Sequence, residues 1–342
     1  MSPAENIALD LLTLKRERKG KFVLYSELSA DSNKEWLIDG LLGHAEMSVV
    51  YGHPGSGKSV FVEDAALKIA AGVEVHGRQV RKGTVLYVAL ERRKLVERRA
   101  IAFRIKHGFA NLPFAIVGGV VDLRETANAQ AVVAIAKEIE AETTEPVVLV
   151  VVDTLSRALA GGDENSPKDM GAIVKASGII GQGTGAHVMF IHHMPKESES
   201  MRGHGALLGA ADTTILVTKL ATSRTAAVIK ANDSEEGAQI AFTLESVTVG
   251  ADGQTTAPIV MPADAVVQVE PISDDKLTPN QRTMFRLLHD AGQAGLSTDD
   301  WNAKARDAGI GVKRRADLVD IRSTLKSKGM VSMYGDRWTV RH

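Results

Sequence analysis

Short apolar runs alternate with helical stripes along the middle of the chain. Met47–Gly52 (MSVVYG), Thr84–Leu90 (TVLYVAL), Val147–Val152 (VVLVVV) and Ala186–Ile191 (AHVMFI) are compact and rich in β-branched residues, so they predict strands. Between them, Val62, Ala66, Ile69 and Ala70 mark one helix face that stops at Gly72, and Val132, Ile135, Ala136 and Ile139 mark another. A charged helix is expected from about Arg92, and Thr213–Thr218 and Thr225–Lys230 continue the strand series. Strands apolar on both faces and separated by helices predict a mainly parallel sheet covered on each side. The runs around 239–249 and 257–261 lack intervening helices and predict antiparallel additions.

The flanks have a different texture. Residues 1–33 predict an arm, in which Ala8, Leu9, Leu11, Leu12 and Leu14 support one short helix before the basic run at 15–21. Residues 250–276 are turn-rich and separate an α/β domain over 34–270 from a smaller one over 277–342. In the smaller one, Thr278-Pro279-Asn280-Gln281 reads as a capping box with Pro at the first helical position, and Met284, Leu287, Leu288 and Ala291 supply the buried face. Ser297 with Asp300 opens a second helix containing Trp301, and a third carries Leu318, Ile321 and Leu325. Two short strands flank Gly335-Asp336, a type II′ turn pair. Three helices and a hairpin in so short a segment predict a winged helix-turn-helix.

With 342 residues, 44% hydrophobic and 24% charged, the chain has the composition of a soluble two-domain protein. No apolar run approaches the ~18 residues of a membrane span, and no secretory signal is visible at the amino terminus. Zero cysteines exclude disulfides, thiol catalysis and Cys-zinc sites, and fit a reducing cytoplasm. The net charge of −1 divides unevenly, into +5 for residues 277–342 and −6 for the rest, which makes the tail the first place to seek a nucleic-acid partner.

The strongest chemical signal is GHPGSGKS, residues 52–59, which satisfies G-x-x-x-x-G-K-[ST] between a predicted strand and a predicted helix. In such a loop the backbone N–H groups close round phosphates and the helix N-terminus adds positive potential. Gly52, His53, Pro54, Gly55, Ser56, Gly57, Lys58, Ser59 and Val60 are therefore the candidate ATP-binding residues. Lys58 would meet the β- and γ-phosphates and Ser59 would ligate Mg²⁺. Asp153 ends an apolar strand, where a Walker B carboxylate completes the magnesium shell. Glu91 ends the preceding strand, placed either to activate water or to cap the Arg-rich helix that follows. His192 and His193 end a third strand and could sense the γ-phosphate; zinc is the competing use, because His204 lies nearby in sequence.

GHPGSGKS, VALE, VVVDTLSR and FIHHMPK, in this order and spacing, resemble the RecA/DnaB superfamily of P-loop ATPases. The resemblance covers about 34–262 and is closest to RepA-type hexameric replicative helicases and related phage and plasmid ATPases. WLIDGLL, GGDENSPKDMG, RGHGALLGAADT and VIKANDSEEG add to it. It implies a RecA-like core, Glu91 as catalytic base, His193 as the γ-phosphate sensor and a ring of six subunits with ATP between neighbours. It also implies that Lys230 acts in trans. The position of the usual Arg finger, two residues on, holds Asn232, a departure that leaves the trans-acting cation open among Lys230, Arg224 and Arg202.

The same resemblance implies that the loops 156–167 and 194–206 face a central channel holding single-stranded DNA. Lys196, Arg202 and His204 suit the second loop to a phosphate backbone, whereas Asp163 and Glu164 make the first a poorer match. In the tail, Arg314, Arg315 and Arg322, with Lys313, Lys326 and Lys328, are candidates for duplex DNA. The leading expectation is an ATP-driven DNA helicase. The alternatives are a non-translocating, DNA-associated ATPase switch and, less favoured, a small-molecule kinase.

Overall fold

The computed structural model describes Tyr25 and residues 33–119, 121–193, 205–220, 223–233, 236–263, 277–291, 295–312, 314, 316–328, 330–334 and 337–340. The expected arm helix, the turn at Gly335-Asp336, and Lys196, Arg202, His204 and Arg315 lie outside these residues.

A two-stranded antiparallel pair, β1 (Trp36–Ile38) and β2 (Leu42–Gly43), precedes the main sheet. That sheet contains β3 (Met47–Gly52), β4 (Thr84–Ala89), β5 (Phe114–Gly118), β6 (Val147–Asp153), β7 (His187–His193), β8 (Thr213–Leu220), β9 (Ser223–Ala231), β10 (Gln239–Thr248) and β11 (Thr256–Pro262). Their order is β11-β10-β9-β8-β3-β7-β6-β4-β5. The helices among them are α1 (Lys58–Ala71), α2 (Arg93–His107), α3 (Thr126–Thr143), α4 (Leu155–Ala158), α5 (Pro167–Thr184) and α6 (Gly205–Ala210).

From β8 through β5 every neighbouring pair is parallel, while β8–β9, β9–β10 and β10–β11 are antiparallel. Every residue of β3, β4 and β6 is buried, as their unbroken apolar text requires. Alternate residues feed two cores, with Val50, Tyr87, Leu149 and Val151 on one side and Val49, Leu86, Val150 and Val152 on the other. A mixed α/β fold with a large, mostly parallel sheet is what a P-loop ATPase core requires.

Two expectations change. Thr225–Lys230 continues the strand series of a mainly parallel sheet in sequence, but β9 follows β8 directly and pairs with it antiparallel, from Thr213↔Ala231 to Leu220↔Ser223. A parallel neighbour would need a crossover of a dozen or more residues, and only 221 and 222 separate the two strands. Helix α5 was not foreseen, although its signal is local: Ser166 accepts from the Asp169 N–H as N-cap and Pro167 occupies the first helical position.

The carboxyl-terminal segment forms α7 (Pro279–His289), β12 (Leu296–Ser297), α8 (Thr298–Asp307), α9 (Ala316–Ser327), β13 (Val331–Tyr334) and β14 (Arg337–Val340). Its strands make a separate antiparallel sheet in the order β12-β14-β13. Thr278 and Gln281 close the reciprocal capping box. Met284, Leu288, Trp301, Leu318, Leu325 and Trp338 form a core of their own. The buried Trp301 indole donates to the Met284 carbonyl at 2.9 Å, so its one polar atom is satisfied.

Candidate functional site

Because β3, β7, β6 and β4 are parallel neighbours, their carboxyl ends meet along one edge of the sheet. Gly52 is level with His193, Ile191 with Asp153, and Asp153 with Ala89, two residues before Glu91. The strand carrying His193 lies between the phosphate-loop strand and the Asp153 strand. One cleft there is lined by Gly55, Gly57, Lys58, Ser59, Glu91, Asp153, Thr154 and His193.

The loop from β3 to α1 is shaped for an anion. Gly52, Gly55 and Gly57 all have positive φ, at 151°, 78° and 101°. A Cβ on Gly52 would strike the Val217 carbonyl, and one on Gly57 would lie 2.8 Å from Arg224 Cδ. His53, Pro54 and Gly55 form the exposed tip, whereas Ser56, Lys58 and Val60 are buried. Helix α1 has no side-chain cap at Gly57 and no acid in its first turn, so among the described residues no capping side chain competes for its amino-terminal N–H groups. The buried Ser56 hydroxyl likewise has no hydrogen-bond partner among the described residues. These features fit a polyphosphate.

Lys58 is 3% exposed and donates to the carbonyls of Gly52 and His53, each at 2.9 Å. Burial lowers its pKa to about 8, against the opposing pull of Asp153 and Glu91. Ser59 donates to Asp153 Oδ1 at 3.4 Å and Tyr87 donates to Asp153 Oδ2 at 2.8 Å. Burial pushes the Asp153 carboxyl up, and the hydrogen bonds from Tyr87 and Ser59 hold it down. A hydroxyl and a carboxylate in this pairing fit the shell of Mg²⁺.

Glu91 follows β4 at the mouth of the cleft, and its Oε2 lies 3.8 Å from His193 Nε2. Burial and the charge on Lys58 hold the His193 pKa below its usual value, with Glu91 opposing. The other Glu91 oxygen, Oε1, lies 3.7 Å from the Arg92 guanidinium, so the carboxylate sits between His193 and Arg92. His192 points elsewhere: it is fully buried, with Nε2 4.0 Å from Glu164, which accepts a hydrogen bond from Ser156. The Glu164 carboxylate thus accepts from Ser156, with the His192 ring 4.0 Å away, rather than standing free on the loop after β6.

The remaining cations divide by position. Lys230 pairs with Thr214, itself level with Val49 near the start of β3, so it lies toward the opposite end of the sheet from the phosphate loop. Its ammonium donates to the carbonyls of Ala211 at 2.6 Å and Gly209 at 3.2 Å. Asn232 donates to Asp212 at 3.0 Å. Arg224, by contrast, packs against Gly57 of its own chain. Sequence reasoning missed Arg99, which lines the nucleotide cleft from α2 and contacts the buried Glu63 of α1 at 3.3 Å. Its place eight residues after Glu91 on a helix was the available signal.

In the tail, Arg314 is exposed, but Arg322 does not meet its expectation as a DNA contact. It is buried and donates to Asn302, and burial lowers its pKa. The exposed positions of α9 are Ala316, Val319, Asp320, Ser323, Lys326 and Ser327, so its outer face carries one lysine beside one aspartate rather than a basic stripe.

With the free Lys58 near pKa 8 and a triphosphate raising that value on binding, the complex takes up a proton above pH 8. ATP affinity should therefore be level between about pH 7 and 8, where the γ-phosphate is already ionised, and fall above it by at most about tenfold per pH unit. Fluorescent-nucleotide titrations at several pH values would measure this. An affinity independent of pH through this range, or the same fall in Lys58→Arg, would contradict it.

Residues 17–199, over half of the chain, match the family model described as AAA domain. No curated protein matches the chain. Among the described residues no helix is long and apolar enough to cross a membrane. The phosphate loop, the strand-end carboxylates and this match agree: the chain belongs to the AAA-domain family of P-loop ATPases.

Proposed function

We propose that the protein is a ring-forming ATPase motor acting on single-stranded DNA, a RepA-like replicative helicase of a phage or plasmid. The observation that carries this reading is the convergence of Lys58, Ser59, Asp153, Glu91 and His193 on one sheet edge. The sequence likeness supplies the DNA-motor part of the reading.

In this reading Lys58 and the loop amides hold the β- and γ-phosphates, and Ser59 and Asp153 hold the magnesium. Bound Mg²⁺ supplies positive charge against the phosphate oxygens. Glu91 accepts the proton of the attacking water at its carboxylate. His193, 3.8 Å from Glu91, would register loss of the γ-phosphate and pass it to the residues after β7. Lys230 serves the neighbour's nucleotide, which makes the interface head-to-tail and closes it into a ring, in this reading a hexamer.

Single-stranded DNA is assigned to Lys196, Arg202 and His204. The tail is assigned as a winged helix, supported by the order helix-strand-helix-helix-strand-strand and by the sheet order β12-β14-β13. Its duplex contacts fall to Arg314 and Arg315, ahead of α9. The second reading, a non-translocating DNA-associated switch, is favoured by Asn232 at the finger position and by the two carbonyls that hold Lys230.

Displacement of a labelled strand from a forked duplex separates the two. The motor reading expects single-stranded DNA to stimulate hydrolysis and ATP to drive displacement. Stimulation without displacement would favour the switch, and neither would overturn the DNA assignment.

Mixing variants tests the trans site. Lys230→Ala should bind ATP within a few-fold of wild type and hydrolyse it poorly. Adding Lys58→Ala should restore part of the activity, because a mixed interface combines an intact phosphate loop with an intact Lys230. No recovery at any ratio, with turnover independent of protein concentration, would contradict a shared site.

A further inference from the structure

We propose that Tyr87 is a positioning residue that fixes the rotation of the Asp153 carboxylate and so tunes the site toward Mg²⁺. The proposal rests on Asp153 being the magnesium-shell residue of the preceding reading.

Tyr87 lies on β4 opposite Val151 of β6, and Asp153 is two residues further along β6. With a side-chain period of two, Val151 and Asp153 share the face on which Tyr87 projects. The Tyr87 side chain is fully buried, its ring 6.1 Å from that of Phe114, and its hydroxyl donates to Asp153 Oδ2 at 2.8 Å. A second donor, the Ser59 hydroxyl, addresses Oδ1 at 3.4 Å.

The two oxygens of Asp153 are therefore unlike. Oδ2 is tied to an interior strand by a fully buried donor, and Oδ1 faces the phosphate-loop helix. The terminal torsion of an aspartate is otherwise broad and nearly two-fold, so this one bond selects an orientation. A carboxylate restricted to one oxygen suits Mg²⁺, which demands octahedral geometry and keeps several waters. Ca²⁺ accepts bidentate carboxylates in a looser shell. Removing the hydroxyl frees Oδ2 to turn toward the cation and erodes that distinction.

Fluorescent-ATP titrations on Tyr87→Phe, in EDTA and across Mg²⁺ or Ca²⁺ series, read the effect without relying on turnover. The concentration of Mg²⁺ needed for half-maximal tightening should rise on the order of tenfold. The Ca²⁺ requirement should move less, and affinity in EDTA should stay at the wild-type value. In an Asp153→Asn background the same substitution should add nothing, since the carboxylate it orients is gone. A folded Tyr87→Phe with unchanged Mg²⁺ and Ca²⁺ requirements would overturn the proposal. Equal weakening in all three conditions would also overturn it, marking Tyr87 as structural. If Asp153→Asn alone leaves the wild-type Mg²⁺ requirement intact, the assignment of Asp153 fails and Tyr87 falls with it; the Asp153 control thus tells the two failures apart.

Discussion

Lys58 holds a charged ammonium in a nearly closed site, where among the described residues the Gly52 and His53 carbonyls accept from it directly. Desolvation of that charge costs stability in the free protein, as the lowered pKa records. A triphosphate brought to the same point meets a cation already stripped of water and backbone N–H groups with no side-chain cap. The arrangement persists because the loop is anchored at both ends, by the wholly buried β3 and by the largely buried face of α1.

The rest of the site follows from that anchor. Parallel neighbours put the ends of β7, β6 and β4 beside the loop, so three chain segments distant in sequence deliver His193, Asp153 and Glu91 to one cleft. Each arrives with a different environment. Asp153 is buried and accepts from two hydroxyls, Glu91 stands partly exposed at the mouth, and burial and Lys58 hold the His193 pKa below its usual value. Behind them, Arg99 on α2 contacts Glu63 on α1, and burial pushes the Glu63 carboxyl up despite that partner. A buried pair of this kind adds little net stability, because desolvation offsets the attraction of the two charges.

The legible parts of the sequence were those whose physics is local. Glycines that permit the loop's path, a lysine and serine opening a helix, and an aspartate closing an apolar run can each be read within a few residues. Glu91 and His193 were legible as strand ends, but their mutual approach depends on strand order, which periodicity does not encode. Thr225–Lys230 looked like another parallel strand because a buried strand reads alike in either direction; the short link before it carried the answer. Arg322 was misread for a related reason. A cation within an apolar stripe can point outward or, as here, inward to Asn302, and the spacing does not decide which. Tyr87 left no trace in the text, since its role arises only where β4 pairs with β6.

The central claim is that Glu91 is the base of a nucleotide site assembled on Lys58, Ser59 and Asp153. The most direct test is to measure equilibrium ATP affinity and steady-state phosphate release on the same preparations of wild type and Glu91→Gln. The account predicts affinity within a few-fold of wild type and turnover lower by about 10²- to 10⁴-fold, because the amide keeps the shape of the cleft and cannot take a proton. Near-normal turnover in Glu91→Gln with affinity intact would contradict it.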